Sequence, residues 1–253
     1  MIRGLYASAL GMTTQMRRMD VISNNIANAG TTGFRQDTVV TRSFTEEFMN
    51  RLRDSSDPQS HRRIGQASPG LFVDTIHTNF TGGSIVQTGG TFDVAIMGEG
   101  FFAIGLGDAD TVRYTRDGSF TLSQERVLMT TEGNLVLGEN GVITVPDGHV
   151  VIDERGSIFA DGEFVDRLRM FNVEDKQTLR KIGDNLFNIT DYTVETPFAG
   201  GIISGALESS NVNPVREMVN MITLARTYEA NQRMITIFDT VMGQAASEIA
   251  RRV

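Results

Sequence analysis

Two apolar stripes at helical spacing, one near each end of the chain, constrain this protein more than any other feature of its sequence. Towards the N-terminus the stripe runs Leu5, Ala9, Met12, Met16, Met19, Ser23, Ile26. Towards the C-terminus it runs Met221, Leu224, Tyr228, Asn231, Ile235, Phe238, Met242, Ala245, Ile249. Each alternates steps of four and three residues, the a/d pattern of a heptad, which keeps one helical face against a partner helix. Helices of this kind make poor catalytic scaffolding and good packing surfaces. The ends of the chain are therefore where function is expected.

Glycine marks the boundaries between these ends and the centre. Of the 26 glycines, 21 fall between Gly65 and Gly205, only Gly243 follows, and no proline precedes Pro58. Helix-compatible ends thus flank a turn-rich centre. The start of the C-terminal helix is legible in Asn213-Pro214-Val215-Arg216-Glu217. Asn213 suits the N-cap, Pro214 the first helical position, and Glu217 places negative charge in the first turn. Nothing breaks the helix from there to Val253, so roughly 40 residues at about 1.5 Å each reach about 60 Å. The N-terminal helix is expected to end near Asn28, where Asn28-Ala29-Gly30-Thr31-Thr32-Gly33 supplies residues that tolerate left-handed backbone.

Residues 34–68 turn polar, with Arg51, Arg53, Asp54, Asp57, Arg62 and Arg63 mixed in sign. They read as an extended connector, either ordered on assembly or simply a solvated loop. The centre reads as β. Asp117-Gly118, Asn140-Gly141, Asp147-Gly148 and Asp161-Gly162 are turn dipeptides, and short β-branched or aromatic runs such as Val142–Val145, Val150–Ile152 and Arg167–Val173 lie between them. The expected fold class is α+β, with long N- and C-terminal helices forming a coiled-coil-like assembly region around a central all-β barrel or sandwich. Residues 1–33 are the N-terminal assembly helix and turn, 34–68 the connector, 69–205 the β domain and 206–253 the C-terminal assembly helix.

Catalytic and ligand-binding patterns are scarce. Gly98-Glu99-Gly100-Phe101-Phe102-Ala103 matches a dinucleotide-binding string, but that motif needs a helix starting at its glycines, and Phe101–Ile104 looks like a strand ending in a turn. His61, His77 and His149 show no ligand spacing, and Asp108-Ala109-Asp110 begins like a calcium loop without its glycine or distal glutamate. There is no G-x-S-x-G elbow. The net charge of -8 argues against a nucleic-acid partner. Without cysteine there is no disulfide or thiolate chemistry. Met1–Leu5 lacks the apolar core and cleavage site of a secretory signal. No enzyme activity, cofactor, metal or small-molecule substrate is expected.

Three longer segments carry a resemblance. Met19–Arg35, with Asn24, Asn25, Asn28, Gly33 and Phe34, is similar to the N-terminal signature of the bacterial flagellar axial proteins of rod and hook. Leu207–Asn213, containing Asn211, and Glu217–Asn231 are similar to their C-terminal signature. Thr91–Phe102 and Tyr114–Phe120 resemble the heart of the rod and hook core domain. One departure lies at Glu125–Thr130, which has no glycine where the family commonly places one before a Leu-Val-Thr-like strand. The chain's length resembles rod proteins carrying one β domain, and the stretch after Phe34 looks more like the proximal-rod than the distal-rod type.

The resemblance implies a structural subunit of the basal-body rod, the axial shaft joining motor to hook. Distal rod or another hook-basal-body axial protein is the alternative. It implies export through the flagellar type III apparatus without a cleaved signal peptide. Its partners are other copies of the chain and neighbouring rod or hook proteins, with no nucleic acid and no small molecule. The expected assembly interface comprises Leu5, Met12, Met16, Met19, Asn24, Asn25, Ile26, Asn28, Gly33, Phe34, Asn211, Met221, Leu224, Tyr228, Asn231, Ile235, Phe238 and Met242. Seven of the twelve methionines lie on the terminal helices, where an adaptable side chain suits contacts that repeat without being identical. Two further readings follow from the residues alone. The stripes can instead pair within one chain, leaving other faces free. A β centre also fits an extracellular binding or adhesin module, although the chain has no tryptophan and four tyrosines from which to build an aromatic platform.

Overall fold

The computed structural model describes residues 2–44, 47–50, 63–67, 70–107, 111–183 and 185–251. It shows an N-terminal helix, a β-rich centre and a C-terminal helix, an α+β fold. The chain divides into two compact units: Met1–Ile26, Asp37–His77 and Pro214–Val253 form one, and Ala27–Gln36 with Thr78–Asn213 the other.

The first unit contains α1 (Ile2–Ala27) and α2 (Pro214–Arg251). Pro214 occupies the first helical position of α2 and Glu217 lies in its first turn, as the sequence predicts. The two helices pair antiparallel. A side chain added at Gly4 would come within 2.5 Å of the Phe238 ring, and one at Gly11 within 3.1 Å of Asn231 Nδ2, so seven steps forward along α1 are seven steps back along α2. Glycine inside a helix costs about 1 kcal/mol relative to alanine. Here it gives the larger side chains of α2 somewhere to sit.

Within residues 34–68 the described residues include paired strands. Gln36 and the residues before it belong to the β unit. The strand Asp37–Ser43 pairs with Leu71–Thr78, and Glu47–Asn50 pairs antiparallel with Arg63–Ala67. In Asp37–Ser43 the half-buried side carries Asp37 and Thr41 with Val39 while Val40 is exposed, so hydropathy does not mark the strand. The charged residues Arg51, Arg53, Asp54, Asp57 and Arg62, like Asp108-Ala109-Asp110, lie outside the described residues, as does the side chain of Arg63.

The β unit is built, among the described residues, around a ten-stranded sheet whose centre is Val112–Thr115, Phe101–Gly105 and Leu135–Gly138, all antiparallel. Phe101–Gly105 is buried along its whole length. Phe102 enters one core with Val94, Phe120, Leu128 and Val136, while Phe101 and Ala103 enter a second with Tyr114, Leu137, Phe171 and Phe187. A strand covered on both faces needs apolar residues at every position, which explains the unbroken run Phe-Phe-Ala-Ile. A three-stranded sheet, Val150–Ile152, Ser157–Ala160 and Glu163–Arg167, adds Val150, Ile152 and Ile158 to the first core. Its Asp161-Gly162 hairpin has positive φ at both turn residues (49° and 87°), as the sequence predicts. The run Arg167–Val173 is split: one strand ends at Arg167 and the next begins at Met170.

Within Glu125–Thr130, where the resemblance implies a glycine, Arg126 takes up a left-handed backbone. It has φ 62°, in the left-handed region that costs a side-chain-bearing residue about 1–2 kcal/mol. Its guanidinium donates to Val145 O at 2.7 Å and Pro146 O at 2.5 Å and pairs with Asp147 at 2.7 Å. These bonds tie the turn to the next segment and offset the strain.

Candidate assembly interface

The covered positions of α2 are Glu217, Met221, Leu224, Tyr228, Asn231, Ile235, Phe238, Met242 and Ala245, with Ala225 beside them. That is the heptad stripe read from the sequence, extended by one turn at its start and ending before Ile249, which is exposed. On α1 the residues shown against α2 are Gly4 and Gly11, one position before Leu5 and Met12 of the sequence stripe. Leu5, Met12, Met19 and Ile26 are half-buried, whereas Ala9, Met16 and Ser23 are exposed. Hydrophobicity alone points to the methionine row, but close approach of two helices selects the smallest residues, and these score poorly as apolar.

Asn25 is 1 % exposed. Its Nδ2 donates to Asp37 O at 2.8 Å and its Oδ1 accepts from Asp37 N at 3.0 Å, so the side-chain amide pairs with the strand as a peptide group would. Asn24 is exposed and Asn28 half-buried, with Thr31 N donating to Asn28 O at 3.2 Å.

A second apolar row on α2 faces away from the seam. Val215, Val219, Ile222, Met234, Ile237 and Val241 are all exposed, on positions roughly 140° around the helix at about 100° per residue. Beside this row Thr223 Oγ1 donates to Val219 O and Thr240 Oγ1 to Thr236 O, so these hydroxyls are satisfied within their own helix.

Gly33, Phe34 and Asn211 meet inside the β unit, where the segments flanking it come together. Gly33 has φ 65°, and its Cα packs so closely on the Arg116–Asp117 peptide that an added carbon would lie 2.5 Å from Arg116 C. The left-handed residue of this segment is thus Gly33 and not Asn28 or Gly30. Gly33 N donates to Glu208 O at 2.7 Å. Phe34 is 3 % exposed, with Lys181 Nζ 3.7 Å from its ring centroid. Asn211 joins four residues distant from it in sequence. Its Oδ1 accepts from Gln36 N, its Nδ2 donates to Asn79 O and Thr81 O, and its backbone N donates to Phe34 O.

The charges beneath this junction were not singled out by sequence. Glu208 accepts from Arg35 Nη2 at 2.7 Å, from Arg116 Nε at 2.6 Å and from Gly83 N at 2.8 Å, and all three ionic side chains are at most 6 % exposed. Arg116 also donates to the carbonyls of Ile96, Gly98 and Gly100, holding the glycine turn before the central strand. Arg35 Nε and Nη1 have no hydrogen-bond partner among the described residues. Burial pushes the Arg35 pKa down, against the opposing pull of Glu208. Burial raises the Glu208 carboxyl, and the two arginines more than offset it, holding it below the usual glutamate range. Asp117 next door is pushed up by burial although Thr32 Oγ1 donates to it at 2.6 Å. The one signal in the sequence was position: Arg35 ends one terminal signature segment, and Glu208 lies near the start of the other.

Gly98 and Gly100 lead into a strand, so no helix N-terminus faces a phosphate. Among the described residues no three His, Cys, Asp or Glu side chains are grouped to hold a metal, and no helix is long and apolar enough to cross a membrane.

Comparison with known proteins agrees segment by segment. Residues 5–35 match the family model described as flagella basal body rod protein, and residues 95–160 the flagellar hook protein FlgE/F/G D1 domain. Residues 203–248 match the flagellar basal body rod FlgEFG protein C-terminal model. The flagellar basal-body rod protein FlgF of Caulobacter vibrioides is 35 % identical over 241 residues, covering 93 % of each chain. The flagellar basal-body rod protein FlgG of Buchnera aphidicola subsp. Acyrthosiphon pisum is 31 % identical, covering 96 % of this chain and 98 % of its own. The flagellar hook-basal body complex protein FlhO of Bacillus subtilis is 27 % identical over 99 % of this chain and 100 % of its own.

Proposed function

The chain belongs to the family of flagellar basal-body rod proteins, and on that premise we propose that it polymerises through the outer face of its terminal helix pair. It is a structural subunit of the bacterial basal-body rod and not an enzyme, and it works among other rod and hook components. The observation carrying the assembly reading is the exposed row Val215, Val219, Ile222, Met234, Ile237 and Val241. The heptad face of α2 meets α1 at Phe238 and Asn231, and we read it as a coiled-coil-like pair in which Leu224, Ile235 and Phe238 hold the subunit together. The outer row, with Met16 and Tyr6 of α1, is what remains for a second copy. Such a contact joins different surfaces of successive subunits and so propagates without closing. In the β unit, apolar cores on both faces of the central sheet favour a sandwich-like layering.

The proximal-rod position rests on the resemblance of residues 36–48. Delivery by the flagellar export apparatus without a cleaved signal, into the cell-envelope part of the rod, rests on family membership. The test separates the two faces of α2. Ile222→Asp and Ile237→Asp should leave the helical content and melting of the monomer unchanged while abolishing rod incorporation and swimming. Leu224→Asp and Ile235→Asp should melt the helical unit first. Normal motility in an Ile222→Asp, Ile237→Asp double variant would remove the assignment.

A further inference from the structure

We propose that residues 32–36 and 208–211 act as a clasp that makes folding of the β unit conditional on arrival of its C-terminal flanking segment. A chain delivered amino end first would then keep its β portion unfolded until residue 211 has emerged. This consequence rests on the export reading above; the folding claim does not.

Three observations carry it. First, the β unit is completed late in the chain. Gly201–Ser204 pairs with Val94–Met97, and Ala206–Glu208 with Ile85–Gln87, and Ile202 fills the first core with 2 % exposure. Without these residues two early strands lack their partners and the core has a hole.

Second, the charge is balanced by one late residue. Arg35 and Arg116 are both buried and oppose each other's charge, and Glu208 is the carboxylate that pairs with both. Before Glu208 arrives, docking residues 32–36 onto the sheet would bury two guanidiniums without compensation, which is strongly disfavoured. Arg116 cannot simply stay in water meanwhile, because it holds the carbonyls of Ile96, Gly98 and Gly100 beside the central strand. The penalty therefore reaches the heart of the unit.

Third, Asn211 locks the clasp from outside by bonding Phe34, Gln36, Asn79 and Thr81 at once. Closing contacts at such separation in sequence requires loop closure before any of them is rewarded.

The test is refolding of the full chain from urea, followed by pulsed exchange of the amides of Phe101–Gly105. A clasp that must form before the sheet makes Glu208→Gln and Asn211→Ala act on the folding rate, whereas a contact made late would act on unfolding. The expected result for Glu208→Gln is refolding slowed about tenfold or more, with unfolding changed less than about twofold. Arg126→Ala, remote from the clasp, should show the opposite partition. An unchanged refolding rate with the whole effect in unfolding would overturn the proposal. If Glu208→Gln does not fold, Asn211→Ala decides between the same two outcomes by itself. Because the assay reads the monomer, a loss of rod incorporation with a normal kinetic partition, or the reverse, distinguishes failure of the assembly reading from failure of the clasp.

Discussion

Removal of the Glu208 carboxylate should destabilise the β unit severely. In Glu208→Ala, Arg35 and Arg116 stay buried with no counter-charge, and Gly83 N loses its acceptor. Breaking a buried ion pair by deleting one partner costs about 3–5 kcal/mol. Against a typical domain stability of about 5–15 kcal/mol this is a large fraction. With a urea dependence of about 2 kcal/mol per molar, the midpoint should fall by about 2 M. The assay is urea unfolding of the full chain, read by amide exchange within the β unit so that melting of the helices is not counted. The two arginines should behave unequally. Arg35→Met removes a guanidinium with two unpartnered nitrogens, while Arg116→Met also strands the carbonyls of Ile96, Gly98 and Gly100. Arg35→Met should therefore be the milder change. A Glu208→Ala midpoint within about 0.5 M of the parent, roughly 1 kcal/mol, would refute the reasoning, as would equal losses for the two arginine variants.

The acid response has a defined sign. Glu208 titrates below its ordinary value in the fold, so its contribution is complete above the unfolded glutamate pKa of about 4.3 and is lost as pH falls through the folded value. Asp117, raised by burial, works the other way, its penalty easing as pH falls towards the ordinary aspartate range. A pH series of melting midpoints should thus decline steeply only below about pH 4, and Glu208→Gln should flatten that decline. Gly33→Ala should cost the β unit at least about 2 kcal/mol by urea unfolding, since the new carbon meets backbone atoms that cannot move aside and φ is already left-handed. At Arg126, alanine keeps the backbone strain and loses the bonds to Val145 and Pro146, whereas glycine loses only the bonds. Arg126→Gly should melt above Arg126→Ala by the equivalent of about 1 kcal/mol.

Different parts of this structure were legible in the sequence to different degrees. The α2 seam could be read residue by residue because its less exposed positions keep heptad spacing from Met221 to Ala245 and most of them are large and apolar. The α1 contact could not, since Gly4 and Gly11 are chosen for what they leave out, and a hydrophobic pattern sees only what is present. The turn at Asp161-Gly162 was legible from two residues. Residues 37–43 hid their strand because its half-buried side carries Asp37 and Thr41 with Val39 while Val40 is exposed, so hydropathy does not follow the alternation of burial.

Residue types at local spacing determined the α+β order, the position of both helices and the strand before Gly105. These depend on periodicities of a few residues, which the backbone imposes wherever it goes, whereas the family was legible from the signature segments themselves. Only the tertiary structure decided that Phe34 and Gly33 turn inward to the β unit, that the outer row of α2 is the free one, and that Glu208 serves Arg35 and Arg116. Arg116 and Glu208 stand 92 positions apart, and either charge by itself reads as an ordinary solvated side chain. Their burial follows from where the chain returns, and that is settled by the packing of the whole sheet.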